Sequence, residues 1–484
     1  MTTSSLPETV FRIIQGGMGI AVSNWRLARA VAKLGEMGVV SGTAIDSVMV
    51  RELQLGDPHG RLSVLKDYPD QGIVDYLKNK FFVPEGRKPE EKFQLLPLHG
   101  FNPTLLSQRI LSAATFSEVR LAKWGHDGLV GINLLTKLKR FTLPCMIGAI
   151  AAGANAVLMG AGIPLEEIQA LPELAAGQPA KLRLDVDMSG APDGQGPYYY
   201  ELDPAQVLPE LGAVDAPAFF PIISSDVLAR MMSRKLPEGA IGAWIIEGFT
   251  AGGHNAPPRG KQIDTENNPV YDHRDIPILE KVQEIGIPFY LAGGYGTPAG
   301  LEQALEMGAS GVQVGSLFSL AEESGYPAEL KTHLIAEIHK GALTVRTDGM
   351  ISPTGFPFKV LELPETISRP EVYEERTRIC DLGYLQTPFA DAKGRLKGRC
   401  PAEPVDTYIK KGGKEEDTVR RACLCNGLMA NIGLGQRQDW GEEGRLFTAG
   451  DEVVNLKLGS VDSPRFSAAD VIDYLYGRPA GTSS

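Results

Sequence analysis

Eight short apolar runs, each closing on glycine or a polar residue, constrain this chain more than any other feature. They lie at Phe11–Ile14, Met37–Ser41, Leu129–Asn133, Ala156–Met159, Phe219–Ile223, Ala243–Glu247, Phe289–Ala292 and Gly311–Val314. Several are almost continuously apolar, as parallel strands buried on both faces must be. Helical patterns separate most of them. Ser23 to Gly35 sets Trp25, Leu27, Val31 and Leu34 at helical spacing behind a capping Ser23. Further helices are expected over Met146–Gly153, over Ser225–Ser233, and over Pro298–Met307, which has Thr297 as its cap and Gly308 as its end. Alternating strands and helices imply an α/β fold with a parallel sheet, and eight strands favour closure into a (β/α)₈ TIM barrel.

At 484 residues the chain exceeds what one core usually fills, so more than a bare barrel is expected. The barrel is assigned to residues 1–320. Two insertions interrupt it, at about 45–102 and 184–218. The first follows the second strand and is read as a lid over the catalytic mouth. The second, with Gly-Ala-Pro-Asp-Gly-Gln-Gly-Pro before Tyr198–Tyr200, is read as a loop or hairpin. From 321 to 484 the alternation fades into a C-terminal helical and irregular region.

The formal charge of −11 argues against nucleic acid or an anionic membrane as the main partner. No apolar run is long enough to span a bilayer. Met1–Glu8 has neither the basic start nor the apolar stretch of a secretory signal, so a cytoplasmic location is expected. Of five cysteines, Cys380, Cys400, Cys423 and Cys425 fall in the last quarter. The single residue between Cys423 and Cys425 is too tight for a zinc knuckle, so they are read as packed or unpaired thiols and no metal is expected. Cys145 is read as packing.

Chemistry concentrates at the strand ends. Gly293-Gly294 and Gly315-Ser316 follow consecutive strands, where backbone N–H groups of a barrel converge on a phosphate. Such glycines can also serve only to make tight turns, but two glycine-rich turns at matching ends of consecutive strands favour the phosphate. Glu247-Gly248-Phe249-Thr250-Ala251-Gly252-Gly253-His254 ends the sixth strand and aims a near-neutral imidazole, a candidate acid or base, at the mouth. Gln15-Gly16-Gly17-Met18-Gly19 lacks the spacing of a dinucleotide fingerprint, which removes a Rossmann reading; Met18 is suited to pack on a flat ring or to fill core. Asn133, ending Gly131-Ile132-Asn133, offers donor and acceptor to a ring edge. His59, His99 and His126 are read as surface histidines near the lid.

Together, Gln15–Gly19, Gly131–Asn133, Glu247–His254, Ala292–Gly294 and Gln313–Ser316 resemble, in order, the nitronate monooxygenase family (formerly 2-nitropropane dioxygenases) and its FMN-dependent enoyl-acyl-carrier-protein reductase relatives. The resemblance implies an FMN-bearing, metal-free oxidoreductase. FMN contacts would fall on Met18, Gly19, Asn133, Gly252, Gly253, Gly293, Gly294, Gly315 and Ser316, and the catalytic base on His254. It implies either oxidation of a nitronate-like acidic carbon by O₂, or NAD(P)H-dependent enoyl reduction with acyl carrier protein as a partner. A barrel binding a phosphorylated ligand without redox work is the reading outside this class. The partner expected is a small-molecule substrate, with a homodimer as an open option. The eighth strand is followed by Ser-Leu-Phe where simpler members carry Thr-Arg-Phe, so a phosphate-side arginine is missing; Arg346 and Lys181 are candidates to replace it.

Overall fold

The computed structural model describes residues 11–479 and 481–482. Met1–Glu8, read above for targeting, lies outside the described residues. Eight strands form one parallel sheet: β1 (Ile13–Gln15), β2 (Gly38–Ser41), β3 (Val130–Leu135), β4 (Ala156–Gly160), β5 (Ala218–Ile223), β6 (Trp244–Glu247), β7 (Phe289–Ala292) and β8 (Gly311–Val314). Each strand pairs with its neighbours in chain order, and β1 pairs with β8 at Ile13↔Val312. The circle closes between β1 and the entry to β2. The Met37 N–H donates to Ile13 O at 3.1 Å, and the Gln15 N–H donates to Met37 O at 2.9 Å. The result is the expected barrel.

Continuous apolarity in the strands has a simple cause. Ile14, Val39, Leu158, Phe220, Ile245 and Tyr290 pack together inside the barrel. Their alternates Ile13, Val40, Val157, Phe219, Ile246 and Leu291 pack outward under the helices. A strand period of two thus splits one apolar run between two cores. Burying each such large side chain contributes roughly 1.5–3 kcal/mol.

The outer layer comprises α1 (Trp25–Lys33), α2 (Leu105–Ala122), α3 (Lys139–Ala151), α4 (Leu165–Ala175), α5 (Asp226–Lys235), α6 (Leu279–Gln283), α7 (Pro298–Glu306) and α8 (Ala328–His339). Asn24 Oδ1 accepts from the Leu27 N–H to cap α1, and Ser225 and Thr297 cap α5 and α7 in the same way. α3 begins seven residues before the expected Met146 and carries Pro144 within it. The proline gives up one backbone bond, but buried Phe141, Leu143, Met146 and Ile147 hold the turn in place.

The first insertion folds into short helices, Ile45–Gln54, Arg61–Leu65 and Gln71–Phe81. It docks on α2 through fully buried Arg61, which pairs with Glu52 of the insertion and lies 2.5 Å from Glu118 on α2. The second insertion opens within a hairpin, in which Ala180–Arg183 just before it pairs with Tyr199–Leu202 inside it. The C-terminal region is richer than a helical and irregular reading allows. It carries hairpins Thr344–Asp348/Phe358–Glu362, Thr387–Ala390/Leu396–Arg399 and Arg437–Gln438/Gly441–Glu442. Strands this short give little periodic signal. Among the described residues, no helix is long and apolar enough to cross a membrane.

Candidate active site

A cavity of ≈ 210 Å³ opens at the carboxyl ends of the strands. The turns after β1, β6, β7 and β8 all reach it: Gly16–Gly19, Ala251–His254, Ala292–Gly293 and Gly315–Ser316 line its wall, with Asn133 from β3. The β1 turn is knit from beneath. Gln15 Nε2 donates to Ser23 Oγ at 2.8 Å, and Ser23 Oγ accepts from the Met18 N–H at 3.0 Å. Of the residues expected to contact a cofactor, Met18, Gly19, Asn133, Gly252, Gly253, Gly293, Gly315 and Ser316 line this one cavity, as does His254. Gly294 is not among the lining residues.

Gly293 has φ +83°, and a Cβ there would sit 3.0 Å from Ala251 N, Gly248 O and Thr250 Oγ1. The turn after β7 therefore lies directly against the turn after β6, and only glycine fits. At Gly252 the close approach is to the protein itself: a Cβ would come within 2.9 Å of the Ala449 carbonyl carbon and 3.0 Å of Gly450 N.

The roof is the C-terminal region. Phe358, Tyr384, Leu424, Cys425, Leu428 and Thr448 line the cavity from it. Its Phe358–Glu362 strand extends the β6 loop, since the Lys359 N–H donates to Gly253 O at 2.8 Å and the Asn255 N–H to Pro357 O at 3.0 Å. Thr448 Oγ1 accepts from the Gly253 N–H at 2.7 Å. The first insertion contributes none of the lining; it braces the roof from outside. Tyr384 donates to Asp46 Oδ1 at 2.6 Å, and His99 Nε2 lies 2.6 Å from Asp46 Oδ2. His99 is thus a buried-network residue. Among the other histidines flagged by the sequence, His59 faces Glu52 at 3.9 Å and burial pushes it down to about 4, while His126 lies 2.7 Å from Ala122 O. None of the three lines the cavity.

His254 is held by contacts that the sequence did not reveal. Its Nε2 lies 2.7 Å from Ser352 Oγ and 3.2 Å from Thr354 Oγ1, and its ring meets Phe358 edge-on at 4.9 Å. Burial, then the nearby Lys137 ammonium, hold it well below the ordinary imidazole range. It is a neutral base at neutral pH. Glu247 also lines the cavity, and burial alone raises its carboxyl to about 7. Gln313, on β8, lines the wall with its Oε1 buried and unbonded. The sequence had Gln313 within a motif without giving it a role. An acceptor left free in a wall of backbone N–H groups and apolar side chains suits the edge of a flat polar ring.

Neither replacement for the missing arginine reaches the site. Arg346 pairs with Asp348 and lies 2.7 Å from Glu362 Oε1, and Lys181 lies 4.7 Å over the Tyr199 ring on the second-insertion hairpin. No lysine or arginine lines the cavity among the described residues. The C-terminal cysteines are free thiols, with Cys400 and Cys423 buried and Cys425 packed against them. Cys145 is buried too. No group of His, Cys, Asp or Glu among the described residues is arranged to hold a metal ion.

Residues 200–352 match the nitronate monooxygenase family model. This span holds Glu247–His254, Gly293, Gln313, Ser316 and Ser352, while Gln15–Gly19 and Asn133 lie outside it. The chain is also similar to (3aS,4S,5R,7aS)-5-hydroxy-7a-methyl-1-oxo-octahydro-1H-indene-4-carboxyl-CoA dehydrogenase of Mycobacterium tuberculosis, at 29% identity over 225 residues. That match covers 42% of this chain and spans 58% of the relative's length. In shape the chain is similar to FabK from Thermotoga maritima, with TM-score 0.50, 16% identity, and coverage of 98% of this chain and 93% of that one, a likeness of fold. Residues 200–352, the span similar to the nitronate monooxygenase family, supply the last four strands of the closed eight-stranded barrel.

Proposed function

We propose that this protein is an FMN-dependent oxidoreductase that acts on a small molecule with an acidic carbon, in the manner of a nitronate monooxygenase. One observation carries the reading: four glycine-bearing strand-end turns, Asn133, Gln313 and a neutral His254 converge on a single cavity. The chemistry of the wall fits a flavin. Met18, Leu138 and Ile222 supply apolar surface, Asn133 and Gln313 supply amide groups for a ring edge, and the Gly293 and Gly315–Ser316 turns supply the site for a phosphate. Bound FMN would provide the two-electron redox chemistry.

The chain's own residues would position and move a proton. Ser352 and Thr354 occupy the Nε2 side of His254, which leaves Nδ1 to face substrate. Low proton affinity keeps that nitrogen free to take a proton from carbon at neutral pH. Phe358, Leu424 and Leu428 make the roof of this cavity apolar.

A second reading, NAD(P)H-dependent reduction of an enoyl thioester, is favoured by the relative named as a carboxyl-CoA dehydrogenase and by the apolar roof. Anaerobic mixing separates the two. Bleaching of the yellow protein by a nitronate and not by NADPH supports the first reading; bleaching by NADPH, followed by reoxidation with an enoyl thioester, supports the second. Reduction by neither donor contradicts both.

A further inference from the structure

The wall where the flavin phosphate would rest carries a carboxyl group and no cation. Glu452 lines the cavity beside Gly293, Gly315 and Ser316. It belongs to the turn Asp451–Asn455. Two bonds seat that turn on the barrel loops: the Gly450 N–H donates to Ser316 Oγ at 2.7 Å, and the Asp451 N–H donates to Thr250 O at 2.9 Å. The Glu452 stem lies along Gly296, its Cγ 3.6 Å from where a Cβ there would stand. Its Oε2 is buried and makes no hydrogen bond. The Gly294 backbone N–H faces the carboxyl and favours its charged form. An internal carboxylate therefore draws on the same turn that a phosphate would use.

Its electrostatic surroundings are sparse. Burial raises its proton affinity, Asp451 adds to the rise, and Lys359 opposes it. Lys359 is already committed, with Nζ 2.6 Å from Asp451 Oδ1. Of the elements packed on this turn, Ser316–Ser319 has no ionisable group, and Arg346 pairs with Asp348 on Thr344–Asp348. On α8, Lys331 donates to Ala321 O and Glu322 O, His339 lies 3.1 Å from Leu458 O, Glu337 pairs with Lys340, His333 lies 3.7 Å from Glu365, and Glu329 is exposed. Nothing there offsets a second negative charge. Two anions sharing one cradle relieve their repulsion by holding a proton between them.

We infer that Glu452 is the proton-carrying partner of the cofactor's phosphate: it rests on the cradle as an anion before FMN arrives, takes up one proton as the phosphate binds, and then donates its O–H to a phosphate oxygen. This rests on the flavin reading above. The coupling predicts that wild-type affinity for FMN weakens above neutral pH by up to about tenfold per pH unit. In Glu452→Gln the amide donates without a proton, so FMN binds at least about tenfold tighter than to wild type near pH 8, and the gap closes toward pH 5. Riboflavin, which lacks the phosphate, binds both proteins alike.

The experiment is a fluorescence titration of FMN and of riboflavin into wild type and Glu452→Gln across this pH range. Calorimetry of FMN binding to wild type in two buffers of different ionisation enthalpy reads the proton directly, about one per FMN beyond what the phosphate's own second ionisation explains. Equal or weaker FMN binding by Glu452→Gln, or no proton uptake by wild type, overturns the role of Glu452 and leaves the flavin reading standing. Failure of wild type to bind either flavin at any pH ends both.

Discussion

Lys137 is the residue whose chemistry is least expected from its neighbours. Its Nζ is buried without a hydrogen-bond partner, lies 3.4 Å over the Phe356 ring, and burial pushes it down to about 7. It remains charged in the range where His254 titrates, and its charge is one reason His254 stays neutral. A histidine with a depressed pKa is a competent base until pH falls below that depressed value. The acid limb of kcat/KM should therefore lie below pH 6.5, the ordinary imidazole value. Lys137→Met removes the repulsion and should move that limb upward, by about half a unit to one unit. A pH profile of both proteins checks this, and an unmoved limb means that Lys137 does not tune His254. Glycines announced the site in the sequence because their spacing at strand ends is visible in one dimension. Ser352, Thr354 and Glu452 did not, because a hydroxyl or carboxyl almost a hundred residues or more from its partner has no local pattern. Gly252 shows the other side of this: its glycine is explained by the Ala449–Gly450 backbone, so a motif can be legible while the reason for it lies elsewhere in the chain.

At the scale of elements, all eight barrel strands fall within two residues of where apolar runs ending in glycine put them. The period-two division between inner and outer cores makes such runs hard to mistake. The C-terminal hairpins were not legible, because strands of two to five residues supported by partners distant in sequence carry no period of their own. Yet these elements complete the site. The Thr448–Gly450 segment grips the β6 and β8 turns, with Thr448 Oγ1 accepting from the Gly253 N–H at 2.7 Å. Thr448→Val keeps the shape and removes the acceptor. It should cost about 1–3 kcal/mol of stability, and it should weaken FMN binding because the turn before His254 loosens. Denaturant unfolding read together with a flavin titration tests this; wild-type values in both would show that the segment merely lies nearby.

Across the whole molecule, three parts far apart in sequence hold one cover in place. The first insertion supplies Asp46 and His99, the C-terminal region supplies Tyr384, and the barrel supplies the mouth they close. Asp46 is fully buried, and His99, with the Tyr384 hydroxyl, keeps its carboxyl below the ordinary range. Its contribution to stability is present above the ordinary carboxylate value and is lost as pH falls through the depressed one. Tyr384→Phe leaves this charge short of a donor and should cost about 1.5–3 kcal/mol at neutral pH. The loss should shrink in strong acid, as shown by denaturation at the two pH values. The sequence expected the first insertion to lie over the mouth itself, but the paired charges of Arg61, Glu52 and Glu118 anchor it on α2. Its part in the cover passes through Tyr384 to the C-terminal roof. Whether the convergent strand-end turns form a flavin site is read by titrating FMN into the purified protein and following quenching of flavin fluorescence. A flavin site gives saturable quenching at one FMN per chain, with a visible flavin band that stays with the protein on gel filtration. Unquenched FMN in the presence of excess folded protein would contradict it.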